Sequence, residues 1–306
     1  MIKPKILKSG DRVALIAPSS PVSEEKLERS LESVGFLGLI PVLYPSCTMK
    51  NGYLAGTDNA RAKDVNDAFA NPSIDGIFCL RGGFGATKIL PLLDYNLIKK
   101  NPKMFLGYSD ITALHIVLNQ RCELVTVHGP MPTRGYHTLD YLSLQSLTYA
   151  LFCEGPIGLA PTPPDEPIEI LCPGTAEGLI IGGNLSVMAA ALGSPYEVDT
   201  KGKILFIEDV DERPYRLDRN LTALALAGKF EDCAGIILGT FADCEEPELE
   251  ENETLTLTQI FDQVIKPFGK PTINNFRAGH IYPQVSIPMG VRTRLDAING
   301  TVEFLT

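Results

Sequence analysis

The chain has 306 residues, 44% hydrophobic and 21% charged, a globular composition that excludes wholesale disorder, a coiled-coil rod and a disulfide-stapled miniature. That length exceeds what a single core ordinarily fills, so two domains are expected. Twenty-seven Lys and Arg against 37 Asp and Glu give a net charge of −10, which repels phosphate backbones and anionic bilayers and makes neither nucleic acid nor a membrane an expected partner. Residues 13–17 form a continuous apolar run ending at Pro18, suited to a strand buried on both faces. Ser23 is placed to cap a following helix, in which Leu27, Leu31 and Val34 recur at helical spacing before Gly35 and Gly38. Residues 41–44 then read as a strand and 59–69 as a helix stopped before Pro72. Residues 76–80 read as a strand, followed by a glycine-rich turn and a short helix from Ala86 to the neighbourhood of Pro91. A strand at 104–107, a helix at about 111–119 and a strand at 124–127 complete an alternation that predicts parallel βαβ units.

Residues 155–174 hold six prolines and read as a linker. The expected division is therefore an N-terminal domain over 1–154, a proline-rich linker over 155–174 and a C-terminal domain over 175–306. In the last segment, strands are predicted at 178–181, 204–207, 235–238 and 271–275, with helices at 185–192, 219–227 and 257–264 and further strands to the end. The stretch 243–253 contains six Glu and one Asp and reads as a solvated loop. The seven cysteines are odd in number, scattered and never spaced as a Cys-x-x-Cys pair, as in a reduced, cytoplasmic protein. The N-terminal apolar run is too short for a signal segment, and no metal-binding spacing of His and Cys occurs, so no metal or cofactor is expected.

Ser109 lies in Gly107-Tyr108-Ser109-Asp110, between an apolar strand and a helix. A serine at a tight strand-to-helix turn can project its hydroxyl at the sheet edge, where the following amides face the same point. Ile111 replaces the second glycine of the usual hydrolase turn, and the alternative role for Ser109 is a helix cap. Arg81-Gly82-Gly83-Phe84-Gly85 also follows a strand; it lacks the nucleotide-binding spacings, and reads either as an amide donor to a reacting carbonyl or as a plain tight turn. Of the four histidines, His280, in a loop whose local geometry Gly279 and Pro283 fix, is the best candidate base. His115 falls inside a helix, His128 ends a strand and His137 sits in a polar turn. Glu208 ends an apolar strand, where an α/β site would place a carboxylate.

Taken together, Ala17-Pro18-Ser19-Ser20, Leu80 to Gly85, Gly107 to Asp110, His128-Gly129-Pro130, Gly182 to Leu185, Phe206 to Val210, Arg213 to Arg216 and Gly279-His280 resemble the LD-carboxypeptidase family of serine peptidases along nearly the whole chain. The resemblance implies a flavodoxin-like N-terminal domain carrying the nucleophile and a β-rich α/β C-terminal domain carrying acid and base. It implies Ser109 as nucleophile, Glu208 as the residue orienting the imidazole, His280 as general base, and the backbone amides of Gly83 and Asp110 as an oxyanion hole. Phe84 stands where tyrosine is common in the family. The implied reaction removes the terminal D-alanine from a murein tetrapeptide during cytoplasmic cell-wall recycling, by a homodimer. A second branch, the microcin C immunity proteins, cleaves an aspartyl-nucleotide amide. The substrate is a small peptide in the first branch, and Arg81 or Arg213 is a candidate to hold its terminal carboxylate. A non-catalytic protein closing on a small ligand is the alternative of another class.

Overall fold

The computed structural model describes residues 1–246, 248–250 and 253–305. Two compact units emerge, one comprising Met1–Gly155 with Ser286–Gly290, the other Pro156–Val285 with Val291–Thr306.

The first unit alternates strands and helices in chain order. It contains β1 (Arg12–Ile16), α1 (Glu24–Phe36), β2 (Ile40–Leu43), α2 (Asp58–Ala70), β3 (Gly76–Cys79), the short α3 (Ala86–Ile89) and α4 (Tyr95–Lys100), β4 (Met104–Gly107), α5 (Thr112–Cys122), β5 (Thr126–His128) and α6 (Tyr141–Phe152). Ser23 caps α1, its side chain accepting from the Lys26 amide, and Glu24 and Glu25 lie in the positive first turn. The sequence reading lacked α4 and α6. Each starts at an aspartate cap, Asp94 accepting from the Leu97 amide and Asp140 from the Ser143 amide.

The second unit opens with β6 (Gly158–Leu159), β7 (Glu169–Cys172) and β8 (Thr175–Asn184). It continues with α7 (Leu185–Ala190), β9 (Ile204–Val210), α8 (Pro214–Leu226), α9 (Lys229–Asp232), β10 (Gly235–Ala242), α10 (Leu257–Val264) and β11 (Thr272–Asn274). β12 (Ile287–Met289) returns to the first unit, and β13 (Arg292–Asp296) and β14 (Thr301–Phe304) complete the second.

The first sheet runs β12-β5-β4-β3-β1-β2. Strands β1 to β5 are mutually parallel, in the 2-1-3-4-5 order of flavodoxin-like doubly wound folds. β3 and β4 are buried throughout, as continuous apolar runs covered on both faces require. β12 adds an antiparallel edge, with Ile287 opposite His128 and Met289 opposite Thr126. Pro288 is tolerated there because an edge strand leaves positions that need no amide donor. The eight-stranded second sheet runs β6-β14-β13-β8-β9-β10-β11-β7. Strands β8 to β11 are parallel and the outer ones antiparallel, so the fold is mixed α/β in both units.

Two features differ from the expected division. Residues 155–174, read as a linker, supply β6 and β7, which close opposite edges of the second sheet. Their prolines flank these short strands rather than interrupt them. Residues 286–290 belong to the first unit although they follow most of the second in the chain. Of the acidic stretch 243–253, Pro247, Glu251 and Asn252 lie outside the described residues, while Asp243, Glu245, Glu248, Glu250 and Glu253 are exposed. Among the described residues no helix is long and apolar enough to cross a membrane, and no group of three His, Cys, Asp or Glu side chains is arranged to hold a metal ion.

Candidate active site

Within the first unit, the loops leaving the carboxyl ends of β1, β3 and β4 meet. Ser109 has φ +67°, the left-handed region that a non-glycine residue enters at a cost of order 1–3 kcal/mol. It opens a 3₁₀ turn (Ser109–Ile111) that runs directly into α5, so the serine occupies the tight strand-to-helix corner expected of it. Gly107 makes the corner possible, because a Cβ there would lie 2.7 Å from Ile111 Cγ2. Gly82 brings the β3 loop against the serine: its missing Cβ would stand 2.7 Å from Ser109 Cβ and 3.1 Å from the Asp110 nitrogen.

Gly83 has φ +103°, and a Cβ there would collide with Ser20 Oγ at 2.3 Å. Neither the Gly83 nor the Asp110 amide donates to an acceptor among the described residues, although both loops are otherwise pinned. The Ser20 amide donates to the Gly82 carbonyl at 3.3 Å, and Ser20 Oγ accepts from the Phe84 amide at 3.2 Å. The Asp110 carboxylate, only 3% exposed, accepts from Ser19 Oγ at 2.6 Å and from the Ala86 amide at 2.8 Å. Burial pushes its pKa up, opposed by these two hydrogen bonds and by the charge of Arg61. Arg61 is itself fully buried. Its guanidinium donates to the carbonyls of Pro18 and Gly85 and to the Asp58 carboxylate. Arg81 lies beside the glycine turn, with Nη1 donating to the Pro21 carbonyl at 3.3 Å.

The other histidines of this unit are accounted for by packing and exposure. His115 is fully buried, with Nε2 2.9 Å from the Gly107 carbonyl and Nδ1 2.8 Å from Thr126 Oγ1. His128 is also fully buried, its ring 5.9 Å from that of Tyr108 and 6.2 Å from that of His115. His137 is exposed in a 3₁₀ turn (Tyr136–Thr138).

Within the second unit, Glu208 on β9 is wholly buried, and its Oε2 lies 2.7 Å from Nδ1 of His280. A buried carboxylate in that position selects the imidazole tautomer with its proton on Nδ1 and leaves Nε2 as the proton acceptor. The loop carrying His280 is fixed by its neighbours. The Ala278 carbonyl accepts from the Thr240 amide at 3.0 Å and from Thr240 Oγ1 at 3.2 Å, and the Gly279 carbonyl accepts from Gln284 Nε2 at 2.5 Å. A register shift in β10 between Leu238 and Phe241 brings Gly239 against this loop, where a Cβ would lie 2.6 Å from the Ala278 oxygen and 3.1 Å from Glu208 Cβ. Gly279 has φ +118°, and a Cβ on it would stand 2.7 Å from Glu208 Oε2.

Asp209, next along β9, has a different task. It accepts from Asn184 Nδ2 at 2.8 Å and from the Ser186 hydroxyl and amide at 2.7 and 3.0 Å, bracing the start of α7, and burial raises its pKa. Arg213 immediately precedes α8 as its N-cap residue, with a side chain 68% exposed and Nε 3.7 Å from Glu246 Oε1.

The structure thus gathers Arg81, Gly83, Ser109 and Asp110 in one unit and pairs Glu208 with His280 in the other. Sequence reading missed the roles of Ser19 and Arg61, and saw Gly279 as fixing the geometry of its loop but not its close approach to Glu208. Ser19 carried a signal in the Pro18-Ser19-Ser20 run after β1, whereas Arg61, inside a helix of mixed polarity, carried none.

Comparison with known proteins bears on both units. The LD-carboxypeptidase N-terminal domain model matches residues 13–129, and the LD-carboxypeptidase C-terminal domain model matches residues 177–295. A probable murein peptide carboxypeptidase of Bacillus subtilis is 40% identical over 300 residues, covering 98% of this chain and 93% of that protein. The murein tetrapeptide carboxypeptidase of Pseudomonas aeruginosa is 32% identical over 290 residues, 93% of each chain. The crystal structure of an MccF-like protein from Bacillus anthracis matches with a TM-score of 0.89 at 26% identity, each chain being covered completely. With both domain models matched in chain order and a relative 40% identical along nearly the full length, the chain belongs to the LD-carboxypeptidase family of serine peptidases.

Proposed function

We propose that the protein is a serine LD-carboxypeptidase that removes the terminal D-alanine from murein tetrapeptide, with Ser109, His280 and Glu208 as nucleophile, base and orienting acid. The observation that carries the chemistry is Ser109 held at φ +67° against Gly82 of the glycine turn, with the amides of Gly83 and Asp110 donating to no acceptor among the described residues. The names of the two carboxypeptidase relatives support the substrate.

His280 Nε2 takes the hydroxyl proton as Ser109 Oγ bonds to the scissile carbonyl carbon, and Glu208 stabilises the resulting imidazolium. The carbonyl oxygen becomes an oxyanion facing the Gly83 and Asp110 amides, each such donor contributing roughly 10²–10³ in turnover. Collapse breaks the amide bond, His280 returns the proton to the departing D-alanine nitrogen, and the shortened peptide remains as an acyl ester on Ser109. Water then attacks the ester, giving its proton to His280, which passes it to Ser109 Oγ as the ester breaks. Every step uses side chains and amides of this chain.

Arg81, next to the glycine turn and in the same unit as Ser109, is the better placed arginine for the substrate carboxylate, because Arg213 already lies 3.7 Å from the carboxylate of Glu246. All seven cysteines are free, which supports work in a reducing cytoplasm. Assembly as a homodimer follows from the family resemblance and is read by light scattering. A second reading, cleavage of an aspartyl-nucleotide amide, is favoured by the match to the MccF-like structure. Incubation with murein tetrapeptide and with an aspartyl-nucleotide amide, followed by mass analysis, separates the two. Release of D-alanine by the wild type, abolished in Ser109→Ala and His280→Ala, is the expected result; cleavage of the nucleotide amide alone would replace it with the second reading, and cleavage of neither together with no covalent labelling of Ser109 would leave a ligand-binding protein.

A further inference from the structure

Asp110 is assigned above a role through its backbone. Its side chain is the less expected feature. A carboxylate 3% exposed, immediately after a nucleophile and next to an amide that would face a developing oxyanion, adds negative charge where a negative transition state forms. Such a group persists only if it is needed elsewhere or well compensated. Both conditions hold. One oxygen, Oδ2, accepts from Ser19 Oγ at 2.6 Å and from the Ala86 amide at 2.8 Å. Ser19, fully buried, belongs to the loop after β1, and Ala86 opens α3 at the far end of the glycine turn after β3. The Arg61 guanidinium spans the same two segments, donating to the Pro18 and Gly85 carbonyls while paired with Asp58, and its charge offsets part of the cost of burying Asp110.

The glycine turn is therefore clamped at its distal end by two neighbouring residues, Gly85 and Ala86, while at its near end it rests on Ser20 and on Ser109 itself. The orientation of the Gly83 amide is set by where these anchors hold the turn. One anchor is the side chain of the residue whose own amide is the partner donor. We infer that the Asp110 carboxylate and the Ser19 hydroxyl are positioning residues that hold the Gly83 and Asp110 amides toward a common point, so that the oxyanion hole is aligned from within. This inference rests on the serine-peptidase reading of Ser109.

The test uses the intact protein and two readouts: the rate at which an alkyl fluorophosphonate becomes bonded to Ser109, with loss of fluoride, and turnover of murein tetrapeptide. Tripeptide product affinity serves as the ground-state reference. Ser19→Ala removes one of the two donors to Oδ2 and is expected to slow both labelling and kcat roughly tenfold, the usual scale for one charged hydrogen bond. Asp110→Ala is expected to slow them roughly a hundredfold. Asp110→Asn, which keeps an oxygen able to accept from both donors, should recover most of that loss. Product affinity should stay within about twofold throughout, because the hole acts on the tetrahedral state. If Asp110→Ala does not fold, Ser19→Ala and Asp110→Asn carry the comparison. Wild-type labelling rates in Ser19→Ala would overturn the inference, as would product affinity falling in step with kcat or Asp110→Asn slower than Ser19→Ala. Labelling of wild-type Ser109 without cleavage of the tetrapeptide would count against the proposed substrate and leave the labelling comparison to decide the clamp. Absence of any labelling would overturn both.

Discussion

Acidification should destabilise the first unit through a single imidazole. His115 is fully buried, and burial lowers its pKa from 6.5 to about 4, against the opposing pull of the Gly107 carbonyl. The neutral ring is the form that fits: Nε2–H donates to Gly107 and Nδ1 accepts from Thr126 Oγ1. In the unfolded chain the same ring takes up a proton near its ordinary pKa, so between the two values the unfolded state binds more protons and stability falls as pH falls. The stabilisation is fully present above about pH 6.5; the loss from this group amounts to about 2 kcal/mol at about pH 5 and about 3 kcal/mol at about pH 4. His115→Gln retains a donor and an acceptor but does not titrate. Urea unfolding should be followed by circular dichroism, because the chain has no tryptophan. The variant is expected to be less stable than wild type at neutral pH, with the gap closing by about 2 kcal/mol by about pH 5. Comparing the two proteins cancels the carboxylates they share. A gap that stayed constant with pH would refute the reasoning, since it would mean that the ring is protonated as easily folded as unfolded.

Two further expectations concern the second unit and the thiols. Gly279→Ala places a methyl 2.7 Å from Glu208 Oε2 on a backbone with φ +118°, so it should lower kcat at least tenfold while changing KM little, as steady-state kinetics would reveal; unchanged kcat would show that the Glu208–His280 contact does not limit turnover. Cys153 is exposed whereas the other six cysteines are buried, and burial pushes Cys47, Cys233 and Cys244 up to about 12. A thiol reagent at neutral pH should therefore modify Cys153 rapidly and the rest only on unfolding, with peptide mass mapping as the check.

How far the fold could be read from sequence depended on how each segment is buried. β1, β3 and β4 are short apolar runs bounded on at least one side by proline or glycine, and such runs have few alternatives to a buried strand. α6 was missed because its apolar residues surround the helix rather than stripe it, leaving Asp140 as its main local marker. β12, three residues including Pro288, has no signature, since its pairing depends on β5, which lies far away in the chain. The corner at Ser109 was legible as strand, serine, helix, but its left-handed backbone was not: that conformation holds because Gly107 and Gly82 leave room for it. Glu208 and His280 were found by their chain neighbours. Gly279 was legible as fixing the loop, but the collision a side chain there would meet was not, because the Glu208 carboxylate that excludes one comes from a separate strand.

The β12 excursion has a consequence for synthesis. The chain leaves the first unit after Gly155, returns for Ser286–Gly290 and leaves again, so the sheet bearing Ser109 gains its last strand only after nearly all of the second unit has been made. Until then β5 presents an unsatisfied edge, and Ser146, whose Oγ accepts from the Ser286 amide at 2.8 Å, lacks that donor. A fragment ending at residue 155 would carry this open edge permanently, inviting intermolecular strand pairing. On the ribosome, the segment containing His280 emerges before the unit containing Ser109 can be finished, so no completed sheet bearing the proposed nucleophile precedes the proposed base.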